Sequence, residues 1–356
     1  MSRFHKIMES LGKYPVDAML LSGKPNLLYA SGFDSSGSMA LITQNQAYFL
    51  VDGRYLEEAE KQIRDAQLML ITPERPALAV LAEIVKDEQI HRLGFEEETV
   101  TVSAYKKWEK ELDCELVPSG DLLTALRSVK EKAEIECLVA AQRIAERAFE
   151  DTLSYLQIGK TEREIGVFLQ YRMLHYGAEK MSFDPIVVSG PNSSLPHGKP
   201  SERPLAPGDF LTMDFGCVKE GYCSDMTRTV AISCMTEEME RVYDTVLAAQ
   251  LAGIAAAKAG VTGKAVHQAA ADVIAAAGYG KYFTHGFGHG VGIQCHEQPM
   301  ASLMNDRPLP EGAVISAEPG IYIPGRFGVR IEDVIVVGSE KSQSLMEAPK
   351  EKKICC

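Results

Sequence analysis

The sequence predicts an α+β domain over residues 126–356, preceded by a smaller α/β domain over residues 1–125. Three observations carry that expectation. Strand-like and helix-like stretches alternate from Asp17 to about Val117, as in a small α/β unit. Beyond residue 130, long amphipathic helices are set apart from a run of short strands, the pattern of helices laid on a mostly antiparallel sheet. Between Thr284 and Glu297 lie three of the eight histidines, with glycine at every second place from Gly286 to Gly292.

In the first domain Ala18–Leu21, Met39–Ile42, Ala47–Val51, Leu68–Ile71 and Leu93–Phe95 read as strands. Arg54–Ile63, Pro76–Val85 and Ala104–Leu112 read as helices. The Pro118-Ser119-Gly120 break and the charged segment after Val129 place the boundary near residue 125.

In the second domain one helix runs from Lys130 to Leu156. Another opens at Thr161, which has capping-box spacing to Glu164, and runs to Tyr176. A third starts at Thr236 and stops at Gly260, and a fourth runs from Thr262 to Gly278. Ile186–Ser189, Phe210–Phe215, Cys223–Ile232, Ala313–Ala317 and Gly328–Val337 read as strands.

The histidine stretch cannot be helical, because each glycine costs about 1 kcal/mol relative to alanine. As a strand it would put His285, Phe287, His289, Val291 and Ile293 on one face and leave the other bare, so that another backbone or a ligand can come close. By the same parity His296 points the opposite way, and only a bulge or turn at Gly290 and Gly292 would bring it beside His289.

Four acids interrupt apolar strands. If the hairpin after Phe210 turns between Lys219 and Glu220, Val218 faces Gly221 and Asp214 lies opposite Asp225. Opposed residues have Cβ atoms about 4.5–5.5 Å apart. Two carboxylates that close need a shared proton or a cation. Glu318 follows Ala313-Val-Ile-Ser-Ala, and Glu332 sits within Val329-Arg-Ile-Glu-Asp-Val; a plain alternative for Glu332 is an ion pair with Arg330. Four carboxylates and one imidazole form a mainly oxygen-donor set, suited to manganese, cobalt or iron more than to a structural zinc.

Composition narrows the rest. A net charge of -12 with no long Lys/Arg run argues against nucleic acid or an anionic membrane as partner. The N-terminus lacks an apolar signal core, and no stretch approaches the roughly 18–20 apolar residues of a membrane span, so a soluble, cytoplasmic protein is expected. Eight cysteines without Cys-x-x-Cys spacing suggest free thiols, and the terminal Cys355-Cys356 pair is expected to fray.

Asp214, Asp225, His289, Glu318 and Glu332 stand in Met-Asp-Phe-Gly, Ser-Asp-Met-Thr-Arg-Thr, Gly-His-Gly-Val-Gly, Glu-Pro-Gly-Ile-Tyr and Val-Arg-Ile-Glu-Asp. In that order and those surroundings they resemble the five ligands of the dinuclear metallopeptidases, the superfamily of methionine aminopeptidase, aminopeptidase P and prolidase. Tyr29-Ala-Ser-Gly-Phe and Asp52-Gly-Arg54-Tyr resemble the creatinase-type front domain of its proline-specific members.

The resemblance implies a pita-bread fold holding two divalent ions, manganese above cobalt, iron or zinc. Asp214 would chelate one ion, His289 and Glu318 the other, with Asp225 and Glu332 bridging. Glu318 would also handle the proton of a metal-bridging hydroxide that attacks an Xaa-Pro bond at the N-terminus of dipeptides or short peptides. His197 and His296 would face the scissile carbonyl. His285 and Arg330 would lie near substrate, His285 with the alternative of supporting His289. A homodimer is implied by the family alone. Cys295 departs from the usual valine or isoleucine and is apolar enough to pack. His267 is taken as structural.

Other chemistries fail on spacing. Gly159-Lys160-Thr161 lacks the glycine a P-loop needs at position 154, which is serine. There is no Gly-x-Ser-x-Gly, Gly-x-Gly-x-x-Gly or His-Glu-x-x-His. A metal-free creatinase-like hydrolase or binding module would have lost ligands, and methionine aminopeptidase usually lacks a front domain. A dinuclear amide hydrolase acting on a modified amino acid is the nearer alternative.

Overall fold

The computed structural model describes residues 2–356. The chain divides into two compact units, Met1–Arg127 and Ser128–Cys356.

The first unit carries α1 (Arg3–Leu11), β1 (Ala18–Leu21), α2 (Lys24–Ser31), β2 (Met39–Thr43), β3 (Ala47–Asp52), α3 (Leu56–Gln62), β4 (Gln67–Ile71), α4 (Ala77–Asp87), β5 (Arg92–Phe95), α5 (Val102–Glu111), β6 (Glu115–Pro118) and α6 (Gly120–Ser128). Its six strands form one mixed sheet in the order β4-β3-β2-β1-β5-β6, antiparallel at β1–β2 and β2–β3 and parallel elsewhere. Leu20, Leu41, Leu50 and Leu93 bury one face of it with Val80, Leu81 and Ile84 of α4. The expected strands and helices are present, Ala18–Leu21 with the same ends and the others with shifted ones, but α1, α2, β6 and α6 went unforeseen. Helix α2 mixes Pro25, Asn26 and Ser31 into eight residues, a composition that reads as a turn.

The second unit opens with α7 (Lys132–Tyr155) and α8 (Glu162–His175). Thr161 caps α8 as its spacing requires: its hydroxyl accepts from Glu164 N at 3.1 Å, and the Glu164 carboxylate accepts from Thr161 N at 2.7 Å. Strands β7 (Lys180–Met181), β8 (Ile186–Ser189), β9 (Phe210–Phe215), β10 (Cys217–Lys219), β11 (Tyr222–Cys223) and β12 (Met226–Ile232) follow. Then come α9 (Glu237–Ala256) and α10 (Gly263–Ala276), capped by Thr236 and Thr262. The chain ends in β13 (Gly288–Gly290), β14 (Glu297–Ala301), β15 (Val314–Ala317), β16 (Gly320–Ile323), β17 (Phe327–Arg330), β18 (Asp333–Val336), β19 (Gln343–Ser344) and β20 (Ile354–Cys355).

Two sheets dominate this unit, ordered β20-β12-β9-β8 and β14-β13-β15-β18-β19. Helices α7 and α8 pack Phe149, Ile165 and Leu169 on Leu211, Met213 and Val230 of the first. Helices α9 and α10 pack Val242, Tyr243, Val266 and Ile274 in a core shared with Ile315 and Ile335 of the second. This is the pita-bread arrangement, helices segregated from mostly antiparallel sheets.

The C-terminal end is a correction. It does not fray: β20 pairs parallel with β12, setting Ile232 against Cys355, and Cys355 is buried. Ser233 N donates to Cys355 O at 2.9 Å, so backbone pairing holds a segment whose composition gave no strand signal.

Candidate metal centre

Three of the four acids stand where regular strand structure is interrupted. Asp214 projects from β9, but Asp225 lies in the two-residue gap between β11 and β12. The hairpin register differs from expectation by two residues: Thr227 lies opposite Asp214, and Val218 opposite Cys223. The reason is the turn. Glu220 and Gly221 are its central residues, with φ of 51° and 76°, the left-handed pair of a type I′ hairpin. A shift of two keeps side-chain parity, so Asp225 remains a diagonal neighbour of Asp214.

Glu332 occupies a matching gap between β17 and β18; its N–H donates to Thr227 O at 3.1 Å, and Thr227 Oγ1 donates to its carboxylate at 2.6 Å. The Glu332–Arg330 ion pair weighed for this acid does not form. Arg330 donates instead to Asp214 Oδ2 at 2.6 Å, to the Tyr322 hydroxyl at 2.8 Å, to Thr227 Oγ1 at 3.1 Å and to Pro196 O at 3.2 Å. Glu318 follows β15, its N–H donating to Phe287 O at 2.8 Å and its Oε1 accepting from Ser316 Oγ at 3.0 Å.

The histidine stretch is extended over three residues only. At Gly288 the backbone of β15 comes so near that a Cβ would sit 2.0 Å from Ser316 O, the close approach a bare strand face permits. The alternation expected over the whole stretch is therefore broken: Phe287 enters the apolar core beside Gly253 of α9, whereas His285 and His289 line the cavity. The register against β14 slips between Gly288 and Gly290, and the chain then turns through residues 291–296. That irregularity brings the His296 ring to 4.0 Å from the His289 ring.

His289 Nδ1 lies 3.2 Å from Gly290 O, which it can satisfy as donor, leaving Nε2 to face the acids. Nε2 is 3.1 Å from Glu318 Oε1 and 3.7 Å from Asp225 Oδ2. His285 bonds to the Tyr322 hydroxyl at 2.9 Å and to Gly286 O at 2.8 Å, and thus braces Tyr322 rather than His289.

Burial strains this group electrostatically. Removal from water, reinforced by the Asp214 charge, pushes the Asp225 carboxyl up to about 8. Burial and Asp225 drive Glu332 well above the ordinary range, and burial raises Asp214 despite Arg330. Against burial, the Glu318 hydrogen bond and charge raise His289 to about 9, and His289 holds Glu318 at about 2. Three acids resist ionisation and one ion-pairs with an imidazolium, a set short of positive charge.

Asp214 Oδ1 is buried without a hydrogen-bond partner, and ligand atoms of Asp225, His289 and Glu332 all lie within 4.8 Å of one another. These donors fit divalent cations, oxygen-rich with one imidazole.

Asp214, Asp225, His289, Glu318, Glu332, His197, His285, His296 and Arg330 all line one cavity of about 820 Å³. His197 and His296 are exposed to it, and Val167, Phe183, Ile186 and Met300 add apolar side chains to its lining. Sequence reasoning missed the side chains that hold this set: Thr227 on Glu332, Ser316 on Glu318, and Tyr322 between His285 and Arg330. Thr227 and Tyr322 stand within the quoted motifs, but hydroxyls there give no charge signal. Cys295 does more than pack, its thiol donating to Asp225 Oδ2 at 3.1 Å.

Residues 136–339 match the model of metallopeptidase family M24. The chain belongs to that metallopeptidase family. Residues 1–129 match the creatinase/prolidase N-terminal domain, the front unit of this metallopeptidase. The metallopeptidase is 35% identical to an Xaa-Pro dipeptidase of Pyrococcus horikoshii over 97% of each chain. Among solved structures it resembles an Xaa-Pro dipeptidase from Bacillus anthracis, with TM-score 0.95, 38% identity and 99% of both chains covered. It is similar also to an X-Pro aminopeptidase from Thermotoga maritima, with TM-score 0.91, 37% identity, and 97% of this chain and 99% of that one covered.

Proposed function

We propose that this metallopeptidase hydrolyses the Xaa-Pro bond at the N-terminus of dipeptides or short peptides, with two divalent ions, manganese first among them. The observation that carries this reading is the convergence of Asp214, Asp225, His289, Glu318 and Glu332 on one cavity beneath two exposed histidines. In it Asp214 would hold one ion, His289 and Glu318 would hold the other, and Asp225 and Glu332 would contribute to holding both. When bound, such ions supply a water ionised near neutral pH and polarise the scissile carbonyl.

The remaining work falls to side chains. Glu318, steadied by Ser316, accepts and returns the proton of the attacking water. His197 and His296 donate hydrogen bonds to the carbonyl oxygen as it gains charge. His285 and Arg330 face the substrate from a network closed by Tyr322. The apolar side chains of Phe183 and Ile186 suit a proline ring, which has no N–H to satisfy.

A homodimer in the cytoplasm is part of the same reading; no helix among the described residues is long and apolar enough to cross a membrane.

Purified protein with manganese is expected to cleave an Xaa-Pro dipeptide, an Xaa-Pro-Yaa tripeptide or both, to lose that activity to a chelator and to regain it with metal. Cleavage of neither substrate overturns the specificity. His197→Ala is expected to keep its metal and to lose about 100-fold in kcat, the usual cost of one oxyanion donor. Loss of metal instead would make His197 part of the ion-binding set.

A further inference from the structure

The turn from Val291 to His296 carries a catalytic histidine at its far end, and it is pinned at its base by one carboxylate. Glu297, the first residue of β14, accepts from Gln294 N at 3.2 Å, and Gly292 packs so tightly on its carboxyl group that a Cβ there would lie 2.3 Å from Oε1. Lys130, just before α7, sets its ammonium 2.8 Å from the same Oε1, with the two side chains only 1% and 7% exposed. Lys130 itself is fixed, its N–H donating to Gly312 O at 2.9 Å. Its ammonium makes no other ion pair among the described residues.

An ion pair buried this deeply is a poor source of stability, since an apolar pair of equal volume usually does as well. It is well suited to fixing one geometry, and here it ties the segment before α7 to the turn that carries His296. From these contacts we propose that Lys130 and Glu297 are positioning residues for His296, holding its ring against His289 at the height the substrate carbonyl requires. The inference rests on the reading of His296 as the group that faces that carbonyl.

The test uses the full chain loaded with manganese and the Xaa-Pro substrate it cleaves. The double variant Lys130→Met/Glu297→Gln removes both charges and leaves neither one buried alone. Bound metal should be unchanged, KM should move less than about twofold, and kcat should fall about tenfold, as a small misplacement does. Placed on a His296→Ala background, the same two substitutions should change kcat by less than about twofold, because the group they position is gone. Glu297→Gln alone, which keeps an acceptor for Gln294 N–H, should reproduce this pattern should the double variant fail to fold.

A wild-type kcat in the folded variants overturns the proposal, and so does a full tenfold loss on top of His296→Ala. Full activity of His296→Ala alone overturns the role assigned to His296, and this inference with it; that outcome needs no change at either positioning residue and is told apart by that.

Discussion

Asp225→Asn is expected to lose nearly all bound metal and at least about 1,000-fold in kcat, yet to give a metal-free protein that melts no lower than metal-free wild type. The loss follows from deleting a carboxylate set among several members of the site: His289 Nε2 at 3.7 Å, the Cys295 thiol at 3.1 Å, and a Glu332 ligand atom within 4.8 Å. A rate falls this far when the group that activates the water can no longer be held. The stability follows from sign. Burial and Asp214 lift the Asp225 carboxyl to about 8, so in the metal-free fold its ionisation is opposed. A carboxyl raised in this way costs nothing below the ordinary carboxyl range; the cost grows as pH climbs toward 8 and is constant above it. Asparagine has no such cost. The melting temperature of the variant relative to wild type, both metal-free, should therefore improve between pH 5 and pH 8. Metal analysis and melting curves at the two pH values check both halves, and a variant with near-wild-type activity, or with a deficit in stability that widens as pH rises, contradicts the site.

Arg330→Met is expected to do the opposite, weakening the fold by about 3–5 kcal/mol, the cost of breaking a buried charge pair from one side. Arg330 is only 4% exposed, and its guanidinium serves Asp214, Tyr322, Thr227 and Pro196 O together. Methionine fills the stem but leaves Asp214 Oδ2 without its donor beside an Oδ1 that already has none. Melting should fall by roughly 10 °C for a unit of this size. Arg330→Lys should recover little, because an ammonium cannot reproduce a planar fork with several simultaneous donations. Denaturant midpoints on metal-free protein decide the matter, and a methionine variant as stable as wild type would show the network to be idle.

The sequence made the elements of the second unit legible where local chemistry decides them. The capping residues Thr161, Thr236 and Thr262 opened their helices as their side chains require. What it hid was the placement of the acids. Asp225 and Glu332 both stand in gaps between strands, and the strands expected from sequence, Cys223–Ile232 and Gly328–Val337, run straight through those gaps. The hairpin register went astray by two because Glu220 adopts a left-handed conformation that glutamate seldom prefers, stabilised where its N–H meets the Glu179 carboxylate at 2.6 Å. Arg330 lies two residues from Glu332 yet turns to Asp214, a choice made by tertiary packing. The Lys130–Glu297 pair spans more than 160 positions, a separation over which periodicity carries no information.

The seating of β13 on β15 has an effect on how such a pocket can diversify. With Ser316 O where a side chain at position 288 would go, the floor beneath the histidines is a fixed surface on which new side chains cannot grow. Tailoring toward other peptides is left to lining positions such as Val167 and Phe183, whose side chains can change size without disturbing a single donor to the acids.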